Sequence, residues 1–217
     1  MRVLLVGATG LVGRECLRLL IAEPAISRVV VLARRPLPPA ALAPKVEAQV
    51  VDFDHLKHAA VFPKADAVLC ALGTTMRQAG SQQRFREVDY GYPLAAARLA
   101  LAQGARHFLL VSALGADARS RVFYNRVKGE LEAAVSALGY RSVTIARPSL
   151  LLGDREEFRL GERILTPFAF LIPGRLRPVK ATDVAAALVD AAVRDEAGVR
   201  VIESEEIRPA ERLGARA

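Results

Sequence analysis

A glycine-rich stretch, Gly-Ala-Thr-Gly-Leu-Val-Gly at positions 7–13, follows directly on an apolar run at positions 3–6. The stretch is followed by residues with the apolar spacing of a helix, so the local order is buried strand, glycine turn, helix. Glycine permits a tight turn, lets backbone N–H groups approach a ligand, and lets a helix pack closely on a strand. The helix N-terminus attracts anions, so the stretch predicts a pyrophosphate-binding loop. The alternative is a strand–turn–helix whose glycines serve packing alone. The residues assigned to the ligand are Gly7, Thr9, Gly10, Leu11, Val12 and Gly13.

The same alternation of apolar strands and amphipathic helices continues along the chain. Predicted strands fall at residues 2–6, 28–33, 46–51, 67–72, 107–112, 141–146 and 199–203, and predicted helices at 11–23, 87–103, 121–138, 162–171 and 182–194, the last capped by Thr182 or Asp183. Nearly continuous apolar strands between helices are typical of a parallel sheet covered on both faces. We therefore predict a Rossmann-type doubly wound α/β fold. It forms a single domain over residues 1–205, with a small cap from about residue 150 and a loosely ordered tail over 206–217.

Composition narrows the partners of this domain. The chain of 217 residues has 52% hydrophobic residues and a net charge of +8, which favours anionic partners. The arginines are scattered and no nucleic-acid-binding motif is present, so nucleic acid remains a weak alternative that predicts steeply salt-dependent binding. We expect a small-molecule substrate, no specific nucleic acid, no membrane span, and a monomer or homodimer.

The number and setting of the cysteines indicate the redox conditions in which the protein resides. The two cysteines, Cys16 and Cys70, lie in apolar runs and do not form a disulfide framework, and the three histidines show no metal-binding spacing with them. We therefore expect no metal and a reducing, cytoplasmic location.

In a doubly wound sheet the ligand lies at the carboxyl ends of the strands, so residues just past each strand are informative. Arg34 and Arg35 follow the second strand, where a site for NAD usually has an acidic residue that binds the ribose 2′-hydroxyl. A guanidinium suits a 2′-phosphate, so the pair predicts NADP(H) as the cofactor. The alternative is two ordinary surface arginines.

The third and fourth strand ends carry weaker signals. Asp52 and Phe53 follow the third strand, and the carboxylate of Asp52 is predicted to accept a hydrogen bond from the adenine amino group. A turn or helix cap is an equal alternative for Asp52. Leu72, Gly73 and Thr74 follow the fourth strand, where a turn of small residues lets the backbone pass close to the cofactor ribose. Taken alone, that turn is also compatible with an ordinary loop.

The fifth strand end and the helix after it supply acid–base chemistry. Ser112 ends the strand, and Tyr124 and Lys128 stand four residues apart on the predicted helix, hence on one face. A free phenol is a poor acid–base catalyst at neutral pH, and a nearby ammonium favours its ionised form. We predict that Tyr124 exchanges a proton with a substrate oxygen, that Lys128 assists it and holds the nicotinamide ribose, and that Ser112 orients the same oxygen. The alternative is a surface tyrosine beside a solvated lysine.

The glycine stretch, Ser112 and the Tyr124-x-x-x-Lys128 pair together resemble the short-chain dehydrogenase/reductase superfamily, in its extended and atypical branches. The segments at 112–117, 124–130 and 146–153 are most similar to the viral-Tat-interacting-protein-like oxidoreductases and their small bacterial relatives. The resemblance implies a Rossmann-type domain that binds NADPH with a Ser/Tyr/Lys catalytic set, and it suggests that Arg147, Pro148 and Ser149 lie beside the nicotinamide.

Two departures from the superfamily pattern bear on function. Asp89 stands where many members carry an asparagine of a proton relay, and the segment after Pro148 is shorter than the substrate domain of members that act on nucleotide sugars.

Two hypotheses about the function follow. The first is an NADPH-dependent reductase of a small carbonyl-type substrate. The second is a non-catalytic NADPH-binding sensor that acts through protein–protein contacts. The intact Ser/Tyr/Lys set favours the enzyme, whereas Asp89 and the short segment favour the sensor.

Overall fold

The computed structural model describes residues 1–59, 61–152 and 177–207. Its strands are β1 (Arg2–Val6), β2 (Arg28–Ala33), β3 (Val46–Val50), β4 (Ala67–Cys70), β5 (His107–Val111), β6 (Ser142–Arg147), β7 (Leu151–Leu152), β8 (Val179–Lys180) and β9 (Gly198–Glu203). Seven of them form one sheet in the order β3-β2-β1-β4-β5-β6-β9, and every neighbouring pair is parallel. The predicted doubly wound parallel sheet is confirmed, and β9, which matches the strand predicted at 199–203, lies at one edge.

Helices cover both faces of this sheet. They are α1 (Leu11–Ala22), α2 (Met76–Ala79), α3 (Gln82–Arg86), α4 (Tyr92–Ala102), α5 (Phe123–Ser136) and α6 (Ala181–Arg194). Because successive side chains of a strand point to opposite faces, Leu5 packs in the core beneath α1 and α6, whereas Leu4 packs in the core beneath α4 and α5. The central strands are buried on both sides, which explains their unbroken apolar sequence.

The helix predicted at 87–103 begins earlier and is not regular. Ser81 caps α3 by accepting a hydrogen bond from the backbone N–H of Arg84 at 3.1 Å. Between α3 and α4 the backbone makes a π-helical turn over Glu87–Gly91. Such turns insert one extra residue into a helix and shift the side chains that follow. The turn places Asp89 in the interior, where its side chain is fully buried.

The C-terminal part of the described chain differs from the prediction in detail. Helix α6 begins at Ala181 with Lys180 as its N-cap, so neither Thr182 nor Asp183 caps it. Strands β7 and β8, which were not predicted, pair as a small second sheet. A 3-10 turn at Ser204–Glu206 and the buried Ile207 follow β9, at the start of the segment predicted as a tail. The helix predicted at 162–171 and the tail from residue 208 lie outside the described residues.

Candidate functional site

Two of the three glycines in the 7–13 loop have no room for a side chain. Gly7 has φ +90°, and a Cβ there would lie 2.6 Å from the backbone of Ala71. A Cβ on Gly13 would lie 2.0 Å from the carbonyl oxygen of Gly7, so α1 packs directly against the end of β1. The tight turn and the close helix packing predicted for these two positions are confirmed. At Gly10 the nearest atom would be 3.3 Å away, which is tight but not prohibitive.

The N-terminus of α1 is free to receive an anion. Its N-cap is Gly10, which has no side chain with which to cap the helix, and the first turn contains no acidic residue. Leu11 and Val12 have buried side chains, so they can offer a ligand only their backbone. Unpaired N–H groups and the positive end of the helix dipole favour negative charge here.

A cleft of about 410 Å³ opens in front of this loop at the carboxyl ends of β1, β2 and β4. Of the predicted cofactor-binding residues, those that line it are Gly7, Thr9, Gly10, Arg34, Phe53, Leu72, Gly73 and Thr74. These residues are distant in sequence and come together only because the strands are parallel and neighbouring. The cleft has the place and composition expected for the adenosine and pyrophosphate portions of a dinucleotide.

Nine residues that line the cleft were not predicted from the sequence. Five of them lie on the segment from α2 to the start of α4: Gln78, Ala79, Arg84, Val88 and Tyr92. Arg84 contacts the carboxylates of Asp54 at 2.7 Å and Glu87 at 3.0 Å. The Tyr92 hydroxyl also donates to Asp54, and its ring stacks on Phe53 with centroids 5.6 Å apart. No sequence spacing marks these residues, because they reach the cleft through the way in which α2, α3 and α4 pack on the sheet.

The two arginines after β2 are not equivalent. Both are exposed, but Arg34 lines the cleft and Arg35 does not. Within the described part of the chain Arg34 has no carboxylate within ion-pair distance. Its guanidinium therefore remains available to a phosphate, whereas that of Arg84 is already shared by two carboxylates.

Asp52 has a local role in the structure. Its carboxylate accepts a hydrogen bond from the backbone N–H of Asp54 at 2.9 Å and contacts Nδ1 of His55 at 2.8 Å, so the side chain closes a turn. Asp52 does not line the 410 Å³ cleft, but it lines an adjoining pocket of about 310 Å³ whose wall includes the cleft residue Phe53. The turn that was the alternative for Asp52 is present, and the adenine contact stays a prediction.

Asp89 and Lys128 form a buried ion pair at the inner edge of the cleft. Their side-chain atoms Oδ1 and Nζ are 2.7 Å apart, and the two side chains are 0% and 5% exposed. The other oxygen of Asp89 accepts the backbone N–H of Thr74 at 2.8 Å, which ties the pair to the loop after β4. Gly73, a second cleft residue, also lies beside the pair: a Cβ there would lie 3.5 Å from Asp89 Oδ1 and 3.7 Å from Lys128 Nζ.

Burial is the largest influence on the protonation of this pair. It raises the pKa of Asp89, against the pull of Lys128. Burial would lower the pKa of Lys128, but the carboxylate of Asp89 and the phenol of Tyr124 outweigh it, so this pKa lies above its ordinary value. Lys128 is therefore a firmly charged ammonium at neutral pH.

Tyr124 stands one helical turn before Lys128 on α5, as predicted. Its half-buried ring packs against Phe85, with centroids 5.4 Å apart. The phenol is close enough to Lys128 to influence the charge of that lysine. The pair therefore has the arrangement that the i, i+4 spacing predicts, on the helix that flanks β5 and β6.

Ser112 has a partner inside the protein. Its hydroxyl donates to the carboxylate of Glu132 on α5, and Arg147 binds the same carboxylate through Nε at 3.1 Å and Nη2 at 2.6 Å. A carboxylate paired with a guanidinium only accepts hydrogen bonds, so the Ser112 proton is committed in this arrangement. The hydrogen bond predicted between Ser112 and a substrate oxygen stays a prediction, and in this arrangement Ser112 can take part in it only as the acceptor.

Arg147 is likewise held by acidic side chains. Its Nη1 also lies 2.9 Å from the carboxylate of Glu203 at the end of β9, and the hydrogen bonds with Glu132 are the largest cause that raises the pKa of Arg147. Glu132 was not predicted from the sequence. Its place one helical turn beyond Lys128, on the same helix face, is the signal that points to it.

Pro148 and Ser149 have backbone partners. The Pro148 carbonyl accepts from Leu114 N–H at 2.9 Å. The Ser149 N–H donates a hydrogen bond to Ser204 Oγ at 3.1 Å, and the Ser149 hydroxyl donates one to the Arg177 carbonyl at 2.6 Å. These bonds tie the segment after β6 to neighbouring chain, and a place beside the nicotinamide stays a prediction for Arg147, Pro148 and Ser149.

The family model described as NAD(P)H-binding matches residues 7–196 of the chain. The chain belongs to this NAD(P)H-binding family. Among curated proteins, it is 39% identical to protein HTATIP2 of Rattus norvegicus over 173 residues, covering 79% of this chain and 71% of that protein. It is 38% identical to the protein "fmp52, mitochondrial" of Emericella nidulans over 172 residues, covering 77% and 74% respectively. The resemblance to the atypical short-chain dehydrogenase/reductases is thereby confirmed.

Solved structures agree on the fold. A human epimerase family protein, SDR39U1, solved with NADPH, aligns with a TM-score of 0.64 at 20% identity, covering 93% of this chain and 73% of that one. A dTDP-glucose 4,6-dehydratase from Streptomyces venezuelae, solved with NAD, aligns with a TM-score of 0.72 at 17% identity, covering 92% and 74%. At these identities the likeness concerns the Rossmann-type architecture.

The expected cytoplasmic location is wrong by these comparisons, because the fungal relatives are named mitochondrial. Cys16 and Cys70 are free and buried, as predicted, but free thiols report on reducing conditions and not on a compartment. In the described ranges, no helix is long and apolar enough to cross a membrane.

Proposed function

We propose that the protein is an NADP(H)-dependent oxidoreductase that reduces a carbonyl-type substrate, with Tyr124 as the proton donor. The observation that carries the proposal is the buried Asp89–Lys128 pair. It holds an ammonium one helical turn from Tyr124 and, through Gly73 and Thr74, against the cleft. A solvated surface lysine would not be buried and paired in this way.

The residues present fit the cofactor. The 7–13 loop leaves no room for side chains where the helix meets the strand, and the N-terminus of α1 is uncapped, which suits a pyrophosphate. Arg34 would bind the 2′-phosphate, and Phe53 and Tyr92 offer aromatic surface to the adenine. When bound, NADPH supplies the hydride that is transferred to the carbonyl carbon.

The protein residues manage the proton. As the substrate oxygen gains negative charge, the phenol of Tyr124 gives up its proton to that oxygen. The charged ammonium of Lys128 stabilises the phenolate that is left, and Asp89 holds the ammonium in place. Ser112, whose proton is committed to Glu132, accepts a hydrogen bond and so orients a neighbouring hydroxyl.

Substitution of Tyr124 by phenylalanine tests this assignment. NADPH oxidation should be followed in the presence of a panel of aldehydes and ketones, together with NADPH affinity. We expect Tyr124→Phe to lower turnover by about 100-fold or more, since general acids contribute on the order of 10²–10⁴, while NADPH affinity stays nearly unchanged. Tyr90→Phe is the matched control, because Tyr90 is a half-buried tyrosine in the adjoining π-helical turn, stacked on Arg86. Wild-type turnover in Tyr124→Phe would show that this phenol is not the proton donor.

A second function is favoured by one observation. With its proton held by Glu132, Ser112 cannot donate to a developing oxyanion. A non-catalytic NADPH-binding protein would have no need for such a donor. This alternative predicts tight NADPH binding, a partner contact that changes when NADPH binds, and no carbonyl reduction that depends on Tyr124.

A further inference from the structure

The buried ion pair at the inner edge of the cleft carries no net charge. Lys128 is buried, and in the described parts of the chain its one carboxylate within ion-pair distance is Asp89. Asp89 is buried as well, and its second oxygen is taken by the Thr74 N–H. The two side chains therefore bring one positive and one negative charge to the same place, with a local sum of zero.

The opposite end of the cleft is not balanced in this way. Arg34 is exposed at the lining of the cleft, and no carboxylate of residues 1–59, 61–152 and 177–207 lies within ion-pair distance of it. A phosphate placed there meets positive charge, whatever the state of the nicotinamide. Selection between the two redox forms of the cofactor must therefore depend on the Lys128 end.

The two forms differ in charge at the nicotinamide ring, which is positive when oxidised and neutral when reduced. An uncompensated ammonium in a desolvated site would repel the oxidised ring, because charges act strongly where water is excluded. We propose that Asp89 is the residue that admits the oxidised cofactor, because it cancels the charge of Lys128 next to the ring. This inference rests on the proposed function for the placement of Lys128 at the nicotinamide end.

Admission of both forms suits an enzyme better than a sensor. A turnover cycle starts with one redox form and must tolerate the other, whereas a sensor responds only if its affinities for the two forms differ. A charge-balanced Asp89–Lys128 pair removes the largest electrostatic difference between them. The same residue that departs from the superfamily pattern is thus compatible with catalysis.

The test is a double-mutant cycle in which the affinity for NADP+ is compared with the affinity for NADPH in each variant. Dissociation constants for NADP+ and NADPH are measured by calorimetry at about pH 8, below the ordinary pKa of lysine. The higher pH favours the carboxylate form of Asp89, whose pKa is raised by burial. The proteins compared are the wild type, Asp89→Asn, Lys128→Met and the double variant. We expect Asp89→Asn to weaken NADP+ relative to NADPH on the order of tenfold, and Lys128→Met to shift the ratio the opposite way. The double variant has a net charge at this place equal to that of the wild type, so its ratio should return near the wild-type value.

Arg34→Gln is the matched control, because it removes a cleft charge away from the nicotinamide. It should weaken both forms alike and leave the ratio unchanged. A ratio that is the same in all four proteins, or that moves in one direction in both single variants, would overturn the inference. Circular dichroism and thermal unfolding identify a variant that has lost its fold, and the remaining single variant then decides. No turnover is measured, so a wild type that binds both forms but reduces no carbonyl would contradict the proposed function alone.

Discussion

At the scale of single residues, Gly13 shows how a missing side chain determines the site. It lies inside α1, where replacement of glycine by alanine ordinarily stabilises a helix by up to about 1 kcal/mol. Here the new Cβ would lie 2.0 Å from the Gly7 carbonyl, so α1 must move away from β1. We expect Gly13→Ala to lower the free energy of unfolding by about 1–3 kcal/mol, as overpacking does, and to weaken NADPH binding. Urea unfolding and a binding titration measure the two effects.

Gly91 supplies the control for this prediction. It also lies in helical backbone, at the end of the π-helical turn, but the nearest atom to an added Cβ is 3.9 Å away. Gly91→Ala should therefore leave stability unchanged or slightly raised. Equal stabilities of the two variants would mean that close packing is not the reason for glycine at position 13.

Residue-scale predictions from the sequence succeeded where a short-range rule sufficed. The roles of Gly7 and Gly13 follow from one turn, and the Tyr124–Lys128 arrangement follows from one helix face. Ser112 was predicted from its place at a strand end, but its partner Glu132 is set by how α5 packs on the sheet. The burial of Asp89 likewise depends on the π-helical turn, which no residue pattern in the sequence signals.

At the scale of elements, Arg147 joins α5 to the last two strands of the sheet. It lies at the end of β6, binds Glu132 of α5 and contacts Glu203 at the end of β9. Loss of Arg147 would leave the buried Glu132 carboxylate without its cation. Because Arg147 is 26% exposed, water screens part of the effect. We expect Arg147→Leu to cost about 2 kcal/mol, less than for a fully buried pair.

A double-mutant cycle separates the pair from the rest of the packing. Glu132→Leu combined with Arg147→Leu should cost less than Arg147→Leu alone, because no unpaired charge remains. Arg200→Leu is the control on β9: its pair with Glu196 is exposed and 3.7 Å long, so chemical denaturation should detect at most about 0.5 kcal/mol. A double variant that is less stable than either single variant would indicate that the network acts by shape and not by charge.

His107 is the first residue of β5 and connects this strand to β6 and to the end of α6, at the amino ends of the strands. Its side chain is buried, Nε2 lies 2.9 Å from Thr144 Oγ1, and Nδ1 lies 3.4 Å from Asp195. Burial lowers the pKa of His107, and the attraction of Asp195 only partly opposes it. The unfolded chain, in which histidine titrates at about pH 6.5, therefore takes up this proton at a higher pH than the folded protein does.

The stability that neutral His107 contributes is full above about pH 6.5 and is lost as the pH falls below that value. We expect the free energy of unfolding to decline in this range for the wild type, and to decline less steeply for His107→Gln. Denaturant unfolding at a series of pH values measures the two slopes. Equal slopes would assign the decline to other groups.

At the scale of the whole molecule, the sheet order explains why a short sequence motif could predict a large part of the site. Parallel strands that neighbour one another bring their carboxyl ends to one edge, so the loops after β1, β2 and β4 meet in one cleft. The wall formed by Gln78, Arg84 and Tyr92 could not be predicted, since it belongs to helices whose position depends on packing. The edge position of β9 depends in the same way on long-range contacts.

The cleft is expected to bind NADPH in preference to NADH, and thermal unfolding can measure this preference. A ligand that binds only the folded state stabilises it by about 2.7 kcal/mol at 100 times its dissociation constant, which for a chain of this size raises the melting temperature by about 5–10 °C. We expect NADPH to do so at lower concentration than NADH, because Arg34 at the cleft meets the 2′-phosphate. Arg34→Gln should weaken NADPH about tenfold or more and leave NADH unchanged. Arg35→Gln removes a neighbouring exposed guanidinium outside the cleft lining, so it should change neither shift by much. If Arg35→Gln abolishes the preference and Arg34→Gln does not, the phosphate lies on the other side of the β2 loop and the assignment of the two arginines is reversed.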